Sequence, residues 1–441
     1  YSSMTPEGSY TMTATFAAET LSGIEVEPND DTAQNITSGE AILGTISSTS
    51  DKDYYAITTD AAGILTVKFE TDISQQAGYS IYILDTSGTV FASEVCDYDC
   101  SSSRGESRTI SVGLSVAGTY FVYVRSKYSS MTPEGSYTMT ATFAAGTLSG
   151  IEVEPNDDTA QNITSGEAIL GTISSSSDID WYVLAASGEG SLDVSMITEQ
   201  TNSSYYFSFY VFDSDNNILV SEFCGSDCTN GGKNILAGIK SAGNYFIGVV
   251  SDSSFGAPEG AYTLRATYSN VVIQGLEFEP NDTYSQAQSI FSSRPIKGSI
   301  SSSDDLDWYT LSISDSAILA VSFSAKHIQY TDWLITYFDQ NRNFINSISC
   351  GGAECVQAGV AMNINALGSG SVYLLVESAS QSNYPYGEYE LKVISSVLPD
   401  TPTIPTNLAA SNRTSQNRIS LTWDDEQSGN GYIVYRSDAT D

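Results

Sequence analysis

The sequence predicts an all-β protein, a tandem array of antiparallel β-sandwiches, and three observations carry that prediction. The acidic string Gly23-Ile24-Glu25-Val26-Glu27-Pro28-Asn29-Asp30-Asp31 returns unchanged at Gly150 to Asp158 and, with changes, at Gly275 to Thr283. A second acidic cluster running into aromatics follows each copy: Asp51-Lys52-Asp53-Tyr54-Tyr55, Asp178-Ile179-Asp180-Trp181-Tyr182 and Asp304-Asp305-Leu306-Asp307-Trp308-Tyr309. Self-similarity at a near-constant period marks a repeat array. Between these landmarks, short runs rich in Val, Ile, Tyr and Phe alternate with polar residues and are broken by Gly, Ser, Thr, Asn and Asp. Such runs read as half-buried strands, and no stretch sustains the 3.6-residue period of a helix.

Taken in order, residues 1–18 match 128–145 without a change and read as the terminal strand of a preceding repeat. Residues 21–145, 148–268 and 273–395 read as three sandwiches. Each closes on a similar strand, Gly135 to Phe143, Gly260 to Tyr268 and Gly387 to Val393, and Gly8 to Phe16 is that strand again. A lone strand leaves backbone polar groups unpaired and so requires partners, from the same polypeptide or by strand exchange between subunits. Because residues 1–18 duplicate the tail of a module that already has its own last strand, a window of a longer polypeptide is the favoured expectation. The proline-rich residues 396–406 read as a stiff linker. Residues 407–441 begin another domain.

Fifty-three acidic residues against 17 basic ones give a formal charge of −36. This excludes nucleic acid and anionic membrane surfaces as partners, because phosphate binding needs clustered Lys and Arg. Divalent cations are the natural counterpart. No apolar run approaches the roughly 18 residues that cross a bilayer, so no membrane insertion is expected of this segment.

The six cysteines fall as close pairs at one place in each repeat: Cys96 and Cys100, Cys224 and Cys228, Cys350 and Cys355. A zinc site would want Cys-x-x-Cys spacing and more ligands, and a thioredoxin-type motif two intervening residues, so local disulfides fit best. Disulfides imply an extracellular or cell-surface setting. By loop entropy each short ring adds only about 2 kcal/mol, enough to pin one loop rather than to hold a fold.

In a strand, residues two apart share a face, so Glu25 and Glu27 present two carboxylates together while Val26 points away. Pro28 ends the ladder, Asn29 and Asp30 bring an amide oxygen and a third carboxylate into the turn, and Asp51 with Asp53 arrives from a neighbouring loop. Calcium takes six to eight hard oxygen ligands in loose geometry, which this set supplies. Asn and Asp also cap turns. That role leaves unexplained why so many mutually repelling carboxylates gather. Catalysis has little support: the single histidine, His327, occurs in one repeat only, and no Gly-x-Ser-x-Gly elbow, His-Glu-x-x-His or phosphate loop is present.

The combination of Glu-x-Glu-Pro-Asn-Asp, a Gly-x-Ile-Ser strand, the Asp-x-Asp-aromatic-Tyr turn, Ala-Gly-Thr-Tyr-Phe-Val and a final Gly-x-Tyr-x-Leu/Met resembles the bacterial pre-peptidase C-terminal domain, over about Leu21 to Val393. The resemblance implies jelly-roll-like sandwiches of the kind appended to secreted peptidases, including clostridial collagenases. It also implies calcium on Glu25, Glu27, Asn29, Asp30, Asp51 and Asp53 in the first copy. The second set is Glu152, Glu154, Asn156, Asp157, Asp178 and Asp180, and the third is Glu277, Glu279, Asn281, Asp282, Asp305 and Asp307. Leu408 to Ser411, Ile419 to Trp423 and Gly431 to Arg436 resemble the first half of a fibronectin type III domain. The expected function is a non-catalytic structural or adhesive segment of a large surface protein, stalk or filament, whose partners are calcium and neighbouring modules or copies of the same protein. The alternative is a tail that binds collagen, another matrix protein or a polysaccharide for a secreted hydrolase.

Overall fold

In the computed structural model the described residues run from 23 to 424, apart from 72–76, 97–106, 134, 199–205, 226–227, 230, 252–260, 327–331, 367, 381–387, 398–405 and 411–420. The duplicated stretch 1–18, Cys100, His327 and the segment after 424 lie outside the described residues. Among the described residues the first sandwich has nine strands: β1 (Gln34–Asn35), β2 (Ala41–Gly44), β3 (Lys52–Thr59), β4 (Gly63–Thr71), β5 (Tyr79–Leu84), β6 (Val90–Cys96), β7 (Arg108–Leu114), β8 (Gly118–Ser126) and β9 (Tyr137–Ala145). One sheet runs β1-β3-β8-β5-β6. The other runs β7-β4-β9-β2 and is extended beyond β7 by β10 (Val153–Glu154) of the next repeat.

The alternation in sequence becomes the alternation in space. Along β4, Leu65, Val67 and Phe69 face inward, and along β9 Tyr137, Met139 and Ala141 do so. They meet Tyr55, Ile57, Ile81, Val122 and Val124 of the opposite sheet in one core. A fully buried large side chain stabilises by roughly 1.5–3 kcal/mol, so this core outweighs any single short disulfide ring.

The second sandwich repeats the plan with β11 (Gln161–Asn162), β12 (Ala168–Gly171), β13 (Ile179–Ala186), β14 (Gly190–Thr198), β15 (Phe207–Phe212), β16 (Ile218–Cys224), β17 (Lys233–Ile239), β18 (Gly243–Ser251) and β19 (Tyr262–Ser269). Its sheets run β11-β13-β18-β15-β16 and β12-β19-β14-β17. The third has β20 (Gln288–Ser289), β21 (Pro295–Ser299), β22 (Leu306–Ile313), β23 (Ala317–Ala325), β24 (Trp333–Phe338), β25 (Phe344–Cys350), β26 (Val360–Ala366), β27 (Gly370–Ser378) and β28 (Glu388–Val397), in sheets β20-β22-β27-β24-β25 and β21-β28-β23-β26. Beyond it, β29 (Thr406–Ala410) and β30 (Leu421–Asp424) pair antiparallel. The protein is an all-β tandem array of antiparallel sandwiches. No helix among the described residues is long and apolar enough to cross a membrane.

Two details depart from a purely antiparallel plan. The two-residue strands β1, β10, β11 and β20 pair parallel with β3, β7, β13 and β22, and pieces so short carry no pattern of their own. Among the described residues one α-helix occurs, α1 (Gly352–Gln357), which starts in the loop after Cys350 and carries Cys355. At under two turns it is too short to show a helical period. Cys224–Cys228 and Cys350–Cys355 are closed disulfides, with Cα atoms 5.4 and 5.2 Å apart.

The chain divides into two compact units. The first runs through Pro280 and includes Ser299–Ser302, and the second holds the rest of the third sandwich. The first part of the third acidic segment, Gly275 to Pro280, therefore belongs with the second sandwich. It lies against the β17 edge, where the Glu277 carbonyl oxygen sits 2.3 Å from the place a Cβ on Gly238 would take.

Candidate metal centre

The acidic segment of the first repeat is tied to its neighbours by backbone and side-chain hydrogen bonds. Glu25 N donates to Leu43 O at 3.0 Å, and the Gln34 side chain clamps both flanks, accepting from Val26 N at 2.8 Å and donating to Ile24 O at 3.0 Å. Only a single bridge, Ile24 to Leu43, is sheet-like here, so the segment is extended without being a full strand. The peptide bonds Glu27–Pro28, Glu154–Pro155 and Glu279–Pro280 are all cis. On β3, Asp53 and Tyr55 are two apart and both point inward; on β9, Tyr137 points to meet them.

One carboxylate oxygen each from Glu25, Glu27 and Asp53 come within 4.8 Å of one another. Tyr55 donates its hydroxyl to Glu25 Oε1 at 2.8 Å, Tyr137 donates to Asp53 Oδ2, and the two hydroxyls are 2.5 Å apart. Thr45 N donates to Glu25 Oε2 and Asn29 N to Glu27 Oε2, each at 2.9 Å. Asn29 Nδ2 donates to Glu25 Oε1 at 3.3 Å. Donors are thus spent on one side of the cluster. Asn29 Oδ1 and Asp53 Oδ1 are left buried with no hydrogen-bond partner.

The second repeat rebuilds this arrangement. Glu152, Glu154 and Asp180 converge within 4.8 Å. Tyr182 donates to Glu152 Oε1 at 3.0 Å, and Tyr262 donates to Asp180 Oδ2 at 2.5 Å. Thr172 N donates to Glu152 Oε2 and Asn156 N to Glu154 Oε2, each at 2.9 Å. Glu154 Oε1, Asn156 Oδ1 and Asp180 Oδ1 are buried without a partner.

Among the described residues no Lys or Arg forms an ion pair with these six carboxylates. Burial, reinforced by like charges, pushes up the pKa values of Glu27, Asp53, Glu154 and Asp180, and burial first of all raises that of Glu152. Asp53 rises to about 9, with desolvation the largest cause and the Tyr137 hydrogen bond opposing it. Desolvation likewise raises Glu152 to about 7, and with repulsion from Glu152 it raises Glu154 to about 9; Asp180 is driven well above the usual carboxylate range. Two unit charges about 4 Å apart at an effective dielectric of about 20 repel by about 4 kcal/mol. At neutral pH such a cluster needs protons or a cation.

The remaining residues of the sequence-derived sets sit around this cluster. Asp51 accepts from Ser47 N, and Asp178 from Ser174 N at 2.5 Å. Asp30 Oδ1 accepts from Lys52 N at 2.9 Å, and Asp157 Oδ1 from Ile179 N at 3.0 Å. These four brace the loops that carry Asp53 and Asp180. In the third repeat, Glu277 accepts from Ser299 N at 2.8 Å within the first unit, where Glu279 is also buried. Within the second unit, Tyr389 donates to Asp307 at 2.6 Å, Leu306 N donates to Asp282 at 3.4 Å, Asn281 and Asp305 are buried, and Asp304 is exposed.

The sequence pattern marks these tyrosines only as strand residues and does not show their part in the cluster. Their recurrence is a signal: Tyr55, Tyr182 and Tyr309 each stand two residues after the second Asp, and Tyr137, Tyr262 and Tyr389 recur in the closing strand. The glycine of the Gly-x-Ile-Ser motif makes room for them. A Cβ on Gly44 would meet the Tyr137 ring at 2.4 Å, and one on Gly171 the Tyr262 ring at 2.6 Å.

Fold and site define a tandem β-sandwich protein with oxygen-rich acidic centres at the start of its first two sandwiches, partly buried in the first and buried in the second. No protein-family model and no curated protein matches the chain. Among solved structures it is similar to the pre-peptidase C-terminal domain of a collagenase from Bacillus anthracis, at 23% identity over 24% of this chain and 93% of that one, with a TM-score of 0.20. It is also similar to tandem CBM51 modules of a family 98 glycoside hydrolase from Streptococcus pneumoniae, at 12% identity over 52% and 83% of the two chains and a TM-score of 0.19. A triple jelly-roll protein of an archaeal virus turret gives 10% identity over 82% and 83%, with a TM-score of 0.21.

Proposed function

We propose that the chain is a non-catalytic, extracellular array of pre-peptidase C-terminal-type sandwiches, part of a larger surface protein, stalk or filament, whose acidic centres hold calcium. The observation that supports this most is the set of orphaned buried oxygens, Asn29 Oδ1 and Asp53 Oδ1 in one centre and Glu154 Oε1, Asn156 Oδ1 and Asp180 Oδ1 in the other. A buried oxygen without a donor costs free energy, and a hard cation that takes oxygen ligands relieves several at once.

In this reading Glu25, Glu27, Asn29 and Asp53 hold the first ion and Glu152, Glu154, Asn156 and Asp180 the second. Asp30, Asp51, Asp157 and Asp178 shape the loops or complete the ligand sets. On its sequence alone, the third set, Glu277, Glu279, Asn281, Asp282, Asp305 and Asp307, is proposed to act in the same way. The tyrosine hydroxyls orient carboxylate oxygens that would otherwise swing away. The ion supplies positive charge and no reaction, fixing the acidic segment at the base of its sandwich. The pair β29 and β30 is proposed to open a fibronectin type III-like domain.

Thermal unfolding tests the proposal, because a ligand that binds only the folded state raises the midpoint. Calcium added to chelator-treated protein should raise it and excess chelator should reverse the shift. An unchanged midpoint would remove calcium from the account.

A further inference from the structure

The string Gly23 to Asp31 is identical to Gly150 to Asp158, yet its surroundings differ. In the second repeat the segment adds to the sheet of the first sandwich: Val153 and Glu154 pair parallel with Gly113 and Leu114, and Gly113 N donates to Glu152 O at 2.7 Å. The junction is completed by Ser174, whose hydroxyl donates to Val90 O at 3.2 Å. Ile151 is accordingly 4% exposed, and Leu276, its counterpart against the second sandwich, 5%. Ile24 is 46% exposed and Val26 44%.

The edge that receives this segment has a requirement. A Cβ on Gly113 would lie 2.7 Å from Glu152 O, and one on Gly238 would lie 2.3 Å from Glu277 O. Both contacts are to backbone, which cannot swing aside, so only glycine fits. Register identifies the equivalent residue in the third sandwich: Gly113 pairs with Ile64, Gly238 with Ser191, and Asn365 with Ile318, each one step in from the start of the preceding strand. Asn365 carries a side chain where the others have none. It lines, with Ile345 and Gln340, a cavity of about 120 Å³ beside β26. On the neighbouring strand Phe344 and Ile345 are exposed, whereas Phe91 and Leu219 of β6 and β16 are buried.

We infer that Ile24 to Glu27 is a docking segment for a further sandwich of the first one's type, one that offers an edge strand like β7 with glycine at the Gly113 position, and that Asn365 bars the third sandwich from that role. The occupant is defined by parallel backbone pairing, a glycine contact and an apolar seat for Ile24. The stacking is head to tail and therefore heterologous, so a rule about which edges accept a neighbour decides where an array stops.

Residues 1–18 repeat 128–145, so a copy of residues 21–127 placed ahead of Tyr1 of the full chain completes a sandwich of the first one's sequence. Hydroxyl-radical footprinting then reads side-chain exposure. Labelling of Ile24 should be strong in the chain and lost in the extended protein, with that of Val26 reduced as expected from half-buried Val153, and Gly→Val at the added counterpart of Gly113 should restore both. Protection of the added counterparts of Leu65 and Val67 shows that the added sandwich is folded. With that sandwich folded, continued labelling of Ile24, or protection indifferent to the Gly→Val change, would overturn the inference. The chain alone at rising concentration should keep Ile24 labelled; protection there would show that β26 accepts the segment despite Asn365 and would overturn the glycine rule.

Discussion

The first and second acidic centres are built from the same residues and differ in their cover. Glu152 is fully buried and Glu154 is 4% exposed, while Glu25 is half-buried and Glu27 exposed. The preceding sandwich makes the difference, since β10 lies on the β7 edge of the first sandwich. Glu154 is pushed up to about 9 by desolvation and then by Glu152, whereas Glu27, with the same hydrogen bond from the following Asn, is raised by a smaller burial. Local sequence places the oxygens, and the neighbour sets the cost of charging them. A centre that is dearer to leave as bare carboxylates gains more from a cation.

The largest expected effect is that of the ion itself. A site held at about 1,000 times its Kd adds about 4 kcal/mol to the folded state. Chelation should lower the unfolding midpoint of the second sandwich more than that of the first, as read by hydrogen exchange along β13 and β3. Equal loss in both would break the comparison.

The pH dependence of the chelated protein comes next. Asp53 and Glu154 have folded pKa values near 9, against ordinary values of 3.8 and 4.5. Their raised values mean that the folded state keeps protons the unfolded chain has lost. This stabilisation is complete below about pH 4 and disappears as pH rises toward 9. The midpoint of chelated protein should fall steadily over that window, and saturating calcium should flatten the slope. A metal-free midpoint that rises with pH would contradict the assignment.

Gly113→Val separates cover from ligands, since it touches no carboxylate. Overpacking against the Glu152 carbonyl should cost about 1–3 kcal/mol at the junction. Calcium affinity should drop at the second centre and hold at the first, measured by titration with Asp53→Asn or Asp180→Asn present to silence one centre at a time. Asp180→Asn alone should abolish the calcium response of the second sandwich while leaving the chelated protein as stable or more so, because it replaces a buried carboxyl that must take up a proton or bear an unpaired charge. Smallest is the disulfide: Cys224→Ala with Cys228→Ala should cost no more than about 2 kcal/mol and leave calcium binding unchanged.

Much of this was legible in the sequence for a physical reason. Strand alternation is a local property with a period of two, so β4 and β9 could be read from Leu65, Val67 and Phe69 and from Tyr137, Met139 and Ala141. The repeats exposed the acidic strings because each copy must rebuild the same centre. What could not be read depends on distant pairing. Nothing near Glu25 says that Tyr137, more than a hundred residues on, reaches the same cluster, or that Gly44 is small so that the ring can pass. Gly113 looks like any strand glycine until Glu152 is laid against it. The short helix α1 and the two-residue parallel strands lie below the length at which periodicity carries information.

The proposed metal centre requires that carboxylates and amide oxygens of one sandwich converge on a cation. A crystal structure of the chain grown with calcium, with anomalous scattering recorded, tests it most directly. An anomalous peak is expected within coordination distance of Glu152, Glu154, Asn156 and Asp180, with Asn156 Oδ1 and Asp180 Oδ1 among its ligands. Carboxylates meeting through short hydrogen bonds, with protons between them and no anomalous peak, would contradict it.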